Sequence, residues 1–320
     1  ESFDIQTLGA ARVRSPVETN VFIGDDNRIL VDATLSSCRG CKGAPLSLER
    51  AGPRRKIFFK PASTRIAIVT CGGLCPGLND VIRAVVMVSW YRYGVRDIIG
   101  LKYGYEGLVP AFGHVPAPLD PETVADIHQN GGTILGSSRG PRNTATMTDF
   151  LEDNGIQILF TIGGDGTQRG ALDIAGEVRK RGKCIAVVGI PKTIDNDISF
   201  TERSFGFETA VEESQAAIDC AHMEAKGARN GVGLVKLMGR ESGFVAACAA
   251  LASSNVNLVL IPEAPFSAGK LMAFLEERLK RKAHAVVVVA EGAGQELVPV
   301  EGRDESGNRK LGDIGAFLKK

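Results

Sequence analysis

The chain has 320 residues, 44% of them apolar and 23% charged, a balance that supports more than one folded domain and excludes disorder, collagen and coiled coil. Its 38 basic and 37 acidic side chains leave a formal charge of +1, so no global field draws it to a polyanion or an acidic surface. Neither nucleic acid nor a membrane is expected as a partner. The longest wholly apolar runs, such as Ala285 to Ala290, fall far short of the roughly 20 residues that cross a bilayer. Glu1-Ser2-Phe3-Asp4 has neither the basic nor the apolar part of a signal peptide, and the chain does not start at Met, so an upstream piece is left open. The protein reads as soluble and intracellular.

Residues 1 to 63 are rich in Pro, Arg and Ser, and Asn20 to Asp32 predicts a short hairpin around Gly24-Asp25-Asp26-Asn27. We read this stretch as a small appended segment containing β-structure. Cys38 and Cys41 form one C-x-x-C, and Cys71 and Cys75 flank a glycine pair. No second pair stands at zinc-finger spacing, and His114, His128, His222 and His284 are scattered, so reduced thiols are expected rather than a zinc or redox site.

From residue 64 onward the pattern changes. Arg65 to Thr70, Gln157 to Ile162, Cys184 to Gly189, Val232 to Leu237, Val256 to Ile261 and Ala285 to Ala290 are short, nearly unbroken apolar runs. Runs of that kind suit strands buried on both faces of a parallel sheet. Between them, helical spacing appears over Leu78 to Tyr91, Gln168 to Arg181, Phe207 to Lys226, Glu241 to Ser253 and Lys270 to Lys282. The alternation predicts an α/β fold of right-handed βαβ units, with ligands at the carboxyl ends of the strands. The expected division is an extension over 1–63, one α/β domain over 64–205 and a second over 206–320.

Glycine-rich turns follow several of these strands. Cys71-Gly72-Gly73-Leu74-Cys75-Pro76-Gly77 suits a polyphosphate cradle at a helix N-terminus and equally a tight turn. Gly163-Gly164-Asp165-Gly166-Thr167 places one carboxylate among glycines where a helix starts, which suits Mg2+ beside phosphate oxygens better than a plain cap. Pro191-Lys192-Thr193-Ile194-Asp195-Asn196-Asp197 offers a proton acceptor, a hydroxyl and a cation. The Gly136 to Arg142 loop brings hydroxyls and guanidinium groups together, and Met238 to Gly243 opens a helix after a strand. Together they describe phosphoryl transfer to a hydroxyl.

In order along the chain, CGGLCPGLN, YGYEGL, GGTILGSSRGPR, GGDGT, PKTIDND, FGFETA, MGRESGF and AEGAGQE resemble the phosphofructokinase family over residues 64 to about 315. The leading AGPRRKIFF and the PKTIDND variant resemble its long ATP-dependent branch of plants and trypanosomatids. The resemblance implies two Rossmann-like three-layer α/β/α domains with parallel sheets beside the N-terminal extension. It implies ATP binding by Gly73, Tyr105, Arg139, Gly140, Gly164, Asp165, Gly166 and Thr167, with Asp165 facing Mg2+. Asp195 becomes the base for the 1-hydroxyl of fructose 6-phosphate, with Thr193 on the transferring group and Lys192 assisting with its charge. Ile194, Met238, Gly239, Arg240 and Glu291 become sugar-phosphate contacts, and Arg240 is also a catalytic residue that steadies the transition state. Pyrophosphate users of the family carry Asp where this chain has Gly166, so ATP is the expected donor, although Lys192 is shared with that branch. Gly231 stands where compact bacterial members carry an arginine. Family members also continue past the position of Lys320 into a 6-phosphate clamp. A homotetramer is implied, in the cytoplasm, with plastid and glycosome left open. The alternatives are a pyrophosphate-dependent enzyme and a non-catalytic subunit that binds nucleotide and sugar phosphate.

Overall fold

The computed structural model describes residues 3, 5–35, 45–303 and 308–320. The C-x-x-C of Cys38 and Cys41 lies outside the described residues. Contacts divide the chain into two compact units, residues 1–72 with 78–190, and residues 73–77 with 191–320. The division therefore falls between Ile190 and Pro191, where the sequence suggested 205. Residues 191–206 leave the first unit because their side chains bond to the 73–77 turn, as when Lys192 Nζ donates to the Gly73 carbonyl at 2.8 Å.

In the first unit the extension forms two small antiparallel pairs, β1 (Val13–Arg14) with β4 (Lys56–Ile57), and β2 (Arg28–Leu30) with β3 (Ser47–Glu49). The Gly24 to Asn27 turn forms, with the Asn27 N–H donating to the Gly24 carbonyl at 3.2 Å. The strand after it pairs with Ser47–Glu49 and not with residues 20–23. Ile23 instead donates its N–H to the Pro53 carbonyl at 2.9 Å, so the hairpin expected within 20–32 is replaced by a longer-range pairing.

A five-stranded sheet follows, made of β5 (Arg65–Thr70), β6 (Asp97–Leu101), β7 (Ala117–Pro118), β8 (Ile158–Gly163) and β9 (Ala186–Pro191), in the order β7-β6-β5-β8-β9. β6 and β8 flank β5 in parallel, whereas β7 runs antiparallel to β6. This sheet is thus mixed, where purely parallel pairing was expected. Pro118 has no N–H to give and suits that short edge strand. Ile66 to Thr70 are buried, as a central strand covered on both faces requires.

Helix α1 (Leu78–Val88) buries Leu78, Ile82 and Val86, one face at four-residue spacing. It ends in a π turn over Ser89–Tyr93, closed by Gly94 at φ +76°. Helices α2 (Thr144–Asp153) and α3 (Asp165–Lys180) complete the unit, α2 capped by Asn143, whose Oδ1 accepts the Thr146 N–H at 3.0 Å. Beside α1, a cavity of about 510 Å³ lies against Phe58, Phe59, Ile66, Val88, Ile158 and Phe160. Its apolar walls offer no group for charge chemistry.

The second unit holds a three-stranded parallel sheet of β10 (Gly231–Leu237), β11 (Leu258–Leu260) and β12 (His284–Ala290), in the order β10-β12-β11. The run Ala285 to Ala290 is wholly buried, and Val286 to Ala290 pack with Ile218, Ala246, Ala249, Leu260, Leu271 and Ile314. Those partners come from α4 (Phe207–Gly227), α5 (Phe244–Ala252), α6 (Ala268–Arg281), β11 and α7 (Ile314–Lys319). Among the described residues no helix is long and apolar enough to cross a membrane. Edge strand β10 runs directly into the Met238-Gly239-Arg240 turn, and central strand β12 into Glu291-Gly292.

Candidate active site

The loop leaving β9 carries a buried carboxylate. Asp195 is 9% exposed. Its Oδ2 accepts the Arg240 backbone N–H at 3.3 Å, and its own carbonyl accepts the Ser242 hydroxyl at 2.9 Å. Its Oδ1 is buried with no hydrogen-bond partner. Burial pushes the carboxyl above the usual range, the Arg240 N–H opposes this, and Asp197 and Glu291 add to the rise. A buried carboxylate with one oxygen held and one unpaired is poised to take a proton.

The neighbouring residues use their side chains to hold the loop. Thr193 Oγ1 donates to Asp197 Oδ1 and accepts the Asp195 N–H, the latter at 3.2 Å. Asn196 sits at φ +57°, a left-handed conformation that Asn tolerates better than most residues. Lys192 is buried, and its Nζ ties this loop to the Gly73 to Gly77 turn. Within that turn Cys75 is buried, its Sγ donates to the Phe205 carbonyl at 3.2 Å, and burial raises its thiol above the usual range while Lys192 pulls it down. A raised, buried thiol is inert rather than nucleophilic.

Across from this loop the Met238 to Gly243 turn is packed to contact. A Cβ on Gly292 would lie 1.7 Å from the Arg240 carbonyl oxygen, and one on Gly239, at φ +129°, would lie 2.4 Å from the Ser242 carbonyl oxygen. Glycine at both places lets the two strand ends approach. The Arg240 guanidinium donates to the Arg309 carbonyl at 2.7 Å; its backbone N–H bonds Asp195, and its positive charge also acts on that carboxyl and lowers it. Met238 is half-exposed and Ile194 and Glu291 are partly buried. The α5 start is held by Glu263, whose Oε1 accepts the Gly243 N–H at 2.8 Å.

In the first unit Gly164 is the N-cap of α3, and Asp165 opens the helix with its carboxylate exposed and paired to Arg169 at 3.1 Å. A Cβ on Gly166 would meet nothing within 4 Å. Thr167 is buried, and its carbonyl accepts the Tyr105 hydroxyl at 2.7 Å. Burial pushes the Tyr105 phenol up, so this side chain supports the first turn of α3 from below and does not stand open. Arg139 is exposed, Gly140 adopts φ +87°, and the adjoining Ser137 hydroxyl donates to the Gly72 carbonyl at 2.6 Å. Arg142 pairs with Glu106 at 2.5 Å. The described residues contain no group of three or more His, Cys, Asp or Glu able to hold a metal ion.

A family profile described as phosphofructokinase matches residues 65–318 of the chain. The chain belongs to the phosphofructokinase family. A relative from Borreliella burgdorferi named ATP-dependent 6-phosphofructokinase is 47% identical over 335 residues, covering 99% of this chain and 75% of that protein. One of the same name from Trypanosoma cruzi is 52% identical over 278 residues, covering 87% of this chain and 57% of that protein. Among solved structures, Pichia pastoris phosphofructokinase in the T-state aligns with a TM-score of 0.65 and 27% identity, over 80% of this chain and 31% of that one. This phosphofructokinase chain therefore spans between 57% and 75% of these two curated relatives. Its two units have the Rossmann-like α/β character of the family.

Gly231, which the resemblance sets against an arginine in compact bacterial members, is packed to contact. A Cβ there would lie 2.3 Å from the Ala225 carbonyl oxygen, because the end of α4 passes directly over the start of β10. An arginine at this position needs a different backbone path. Sequence reasoning missed Asn196, Ser204, Ser242 and Glu263, which touch the Asp195 loop or the turn beside it. The one available signal was that Asn196 and Ser242 sit inside motifs already singled out for their neighbours.

Proposed function

We propose that the chain carries the catalytic core of an ATP-dependent 6-phosphofructokinase, transferring the terminal phosphoryl group of MgATP to the 1-hydroxyl of D-fructose 6-phosphate at the committed step of glycolysis. The observation that carries this reading is the buried Asp195, with Oδ2 bonded and Oδ1 unpaired. Asp195 takes the proton from the 1-hydroxyl as that oxygen bonds to the γ-phosphorus. The bond between the γ-phosphorus and its bridging oxygen then breaks and ADP leaves. Thr193 and Lys192 lie in the same loop and steady charge on the transferring group. Ile194, Met238, Gly239, Arg240 and Glu291 border it and orient the sugar phosphate.

The nucleotide is assigned to Gly73, Arg139, Gly140, Gly164, Asp165, Gly166 and Thr167, with Tyr105 acting through the Thr167 carbonyl. The open space at Gly166 favours ATP over pyrophosphate, since a carboxylate there would repel the α-phosphate. Asp165 is exposed, carries only the Arg169 pair, and starts a helix. One carboxylate beside phosphate oxygens and water is the donor set Mg2+ accepts, so these residues fit the ion. When bound, Mg2+ neutralises phosphate charge. A homotetramer in the cytoplasm completes the proposal.

The test is the rate of fructose 1,6-bisphosphate formation with MgATP and, separately, with pyrophosphate. ATP-dependent product formation upholds the reading. Product from pyrophosphate alone replaces the donor, and tight binding of both substrates with no product replaces the enzyme by a regulatory subunit.

A further inference from the structure

Asp195 is held in place by groups that carry no charge. Asn196 Oδ1 accepts the Ser204 N–H at 2.8 Å, and Asn196 Nδ2 donates to the Glu202 carbonyl at 3.1 Å. The Ser204 hydroxyl donates to the Thr193 carbonyl, and the Ser242 hydroxyl donates to the Asp195 carbonyl at 2.9 Å. Asn196, Ser204 and Ser242 are 9%, 7% and 5% exposed, so these bonds lie out of water. They hold Thr193 and Asn196 on either side and the Asp195 carbonyl itself, and none touches the unpaired Oδ1.

We infer that Asn196, Ser204 and Ser242 form a neutral clasp that positions Asp195 for proton abstraction. This rests on the reading of Asp195 as the base. The physical argument is one of economy of charge. A lysine or arginine gripping the carboxylate would hold it equally still, but would stabilise its charge and weaken it as a base. Gripping the backbone with hydroxyl and amide groups fixes the direction of Oδ1 without that loss. The charged groups that face Asp195 are Asp197, Glu291 and Arg240, with the Cys75 thiol nearby. Arg240 approaches through its backbone N–H while its guanidinium donates to the Arg309 carbonyl, and its charge lowers the carboxyl by less than burial raises it. The three members are positioning residues, since they act through Asp195.

Asn196 separates side-chain from backbone effects. Glycine accepts φ +57° without cost but cannot make the bonds to residues 202 and 204. Asn196→Gly and Ser242→Ala are each expected to lower kcat by about 100-fold, the scale of loss on misplacing a reacting group by about 1 Å. The KM for MgATP is expected to stay within about twofold, and the acid limb of kcat is expected to move down toward the ordinary carboxylate range as the loop loosens and Asp195 meets water. Near-normal kcat in Asn196→Gly would show that only the backbone conformation matters and would overturn the clasp. An equal fall in kcat and rise in both KM values, with an unmoved acid limb, would overturn it too.

A second readout does not depend on turnover. Carbon-13 NMR titration of the Asp195 carboxyl should give a lower midpoint in Ser242→Ala than in the wild-type protein, and an unchanged midpoint refutes the clasp. Wild-type protein that makes no product under any donor would instead defeat the functional reading, and the titration would still decide the clasp.

Discussion

Replacing Asp195 by Asn separates what this residue does for catalysis from what it costs the fold. The substitution keeps shape and keeps an oxygen to accept the Arg240 N–H, but removes the proposed base. Turnover should fall by about 100-fold or more, the usual contribution of a general base. Stability should move the other way. The carboxyl is buried with Oδ1 unpaired, and its proton is held more tightly in the folded than in the unfolded protein. The folded state is therefore relatively favoured below the ordinary carboxylate range, and this advantage is lost as pH rises through the raised folded value. Asn puts an equally unpaired but uncharged amide where Oδ1 stood, so what the variant removes at neutral pH is the extra cost of burying charge, on the order of 1–3 kcal/mol. At roughly 3 °C per kcal/mol for a unit of this size, Asp195→Asn should melt about 3–9 °C higher. Thermal unfolding at neutral pH and again below the ordinary carboxylate range tests this, with the gain confined to neutral pH. A variant that melts lower at neutral pH, or a gain that persists unchanged in acid, would refute the claim that charge burial at Asp195 is a cost the fold bears for its chemistry.

Other substitutions probe separate parts of the same picture. Gly166→Asp should leave the melting temperature within about 2 °C, because surface changes without clashes are nearly neutral, yet cut ATP-dependent turnover by about 10-fold or more through repulsion of the nucleotide phosphates; calorimetry and donor kinetics read the two effects. Asp165→Ala should weaken the response to Mg2+, raising the concentration needed for half-maximal rate by about 10-fold, as expected when a hard cation loses its carboxylate. Tyr105→Phe removes the hydroxyl bonded to the Thr167 carbonyl and should cost about 1 kcal/mol in denaturant titration. Gly292→Ala drives a Cβ into the Arg240 carbonyl and should cost about 3 kcal/mol, read as loss of soluble protein or an early melt.

Much of this architecture was legible because it depends on nearest neighbours. The runs RIAIVT and HAVVVVA became the buried strands β5 and β12, since an unbroken β-branched segment has no polar face to turn to water. The resemblance carried by the ordered motifs agrees with the family match over residues 65–318. Several elements escaped, strand β6 and helix α2 among them. Strand β6, DIIGL, is short and contains Gly100, which is required there because a Cβ would lie 2.3 Å from the Leu135 side chain. Helix α2, TATMTDFLED, has too weak an apolar stripe to announce itself and is fixed by its Asn143 cap.

By itself the sequence determined the long buried strands, the helices between them and which turns carry carboxylates, glycines and cations, because periodicity and residue type act within a few positions. Only the tertiary structure decided that β2 pairs with β3, that the Gly73 to Gly77 turn joins the second unit, and that the Arg240 guanidinium turns to Arg309. It also decided that Ser242, 47 residues further along the chain, grips Asp195. Such contacts are set by how strand ends converge and how closely glycine lets them pass, and no local pattern encodes a distance between residues so far apart.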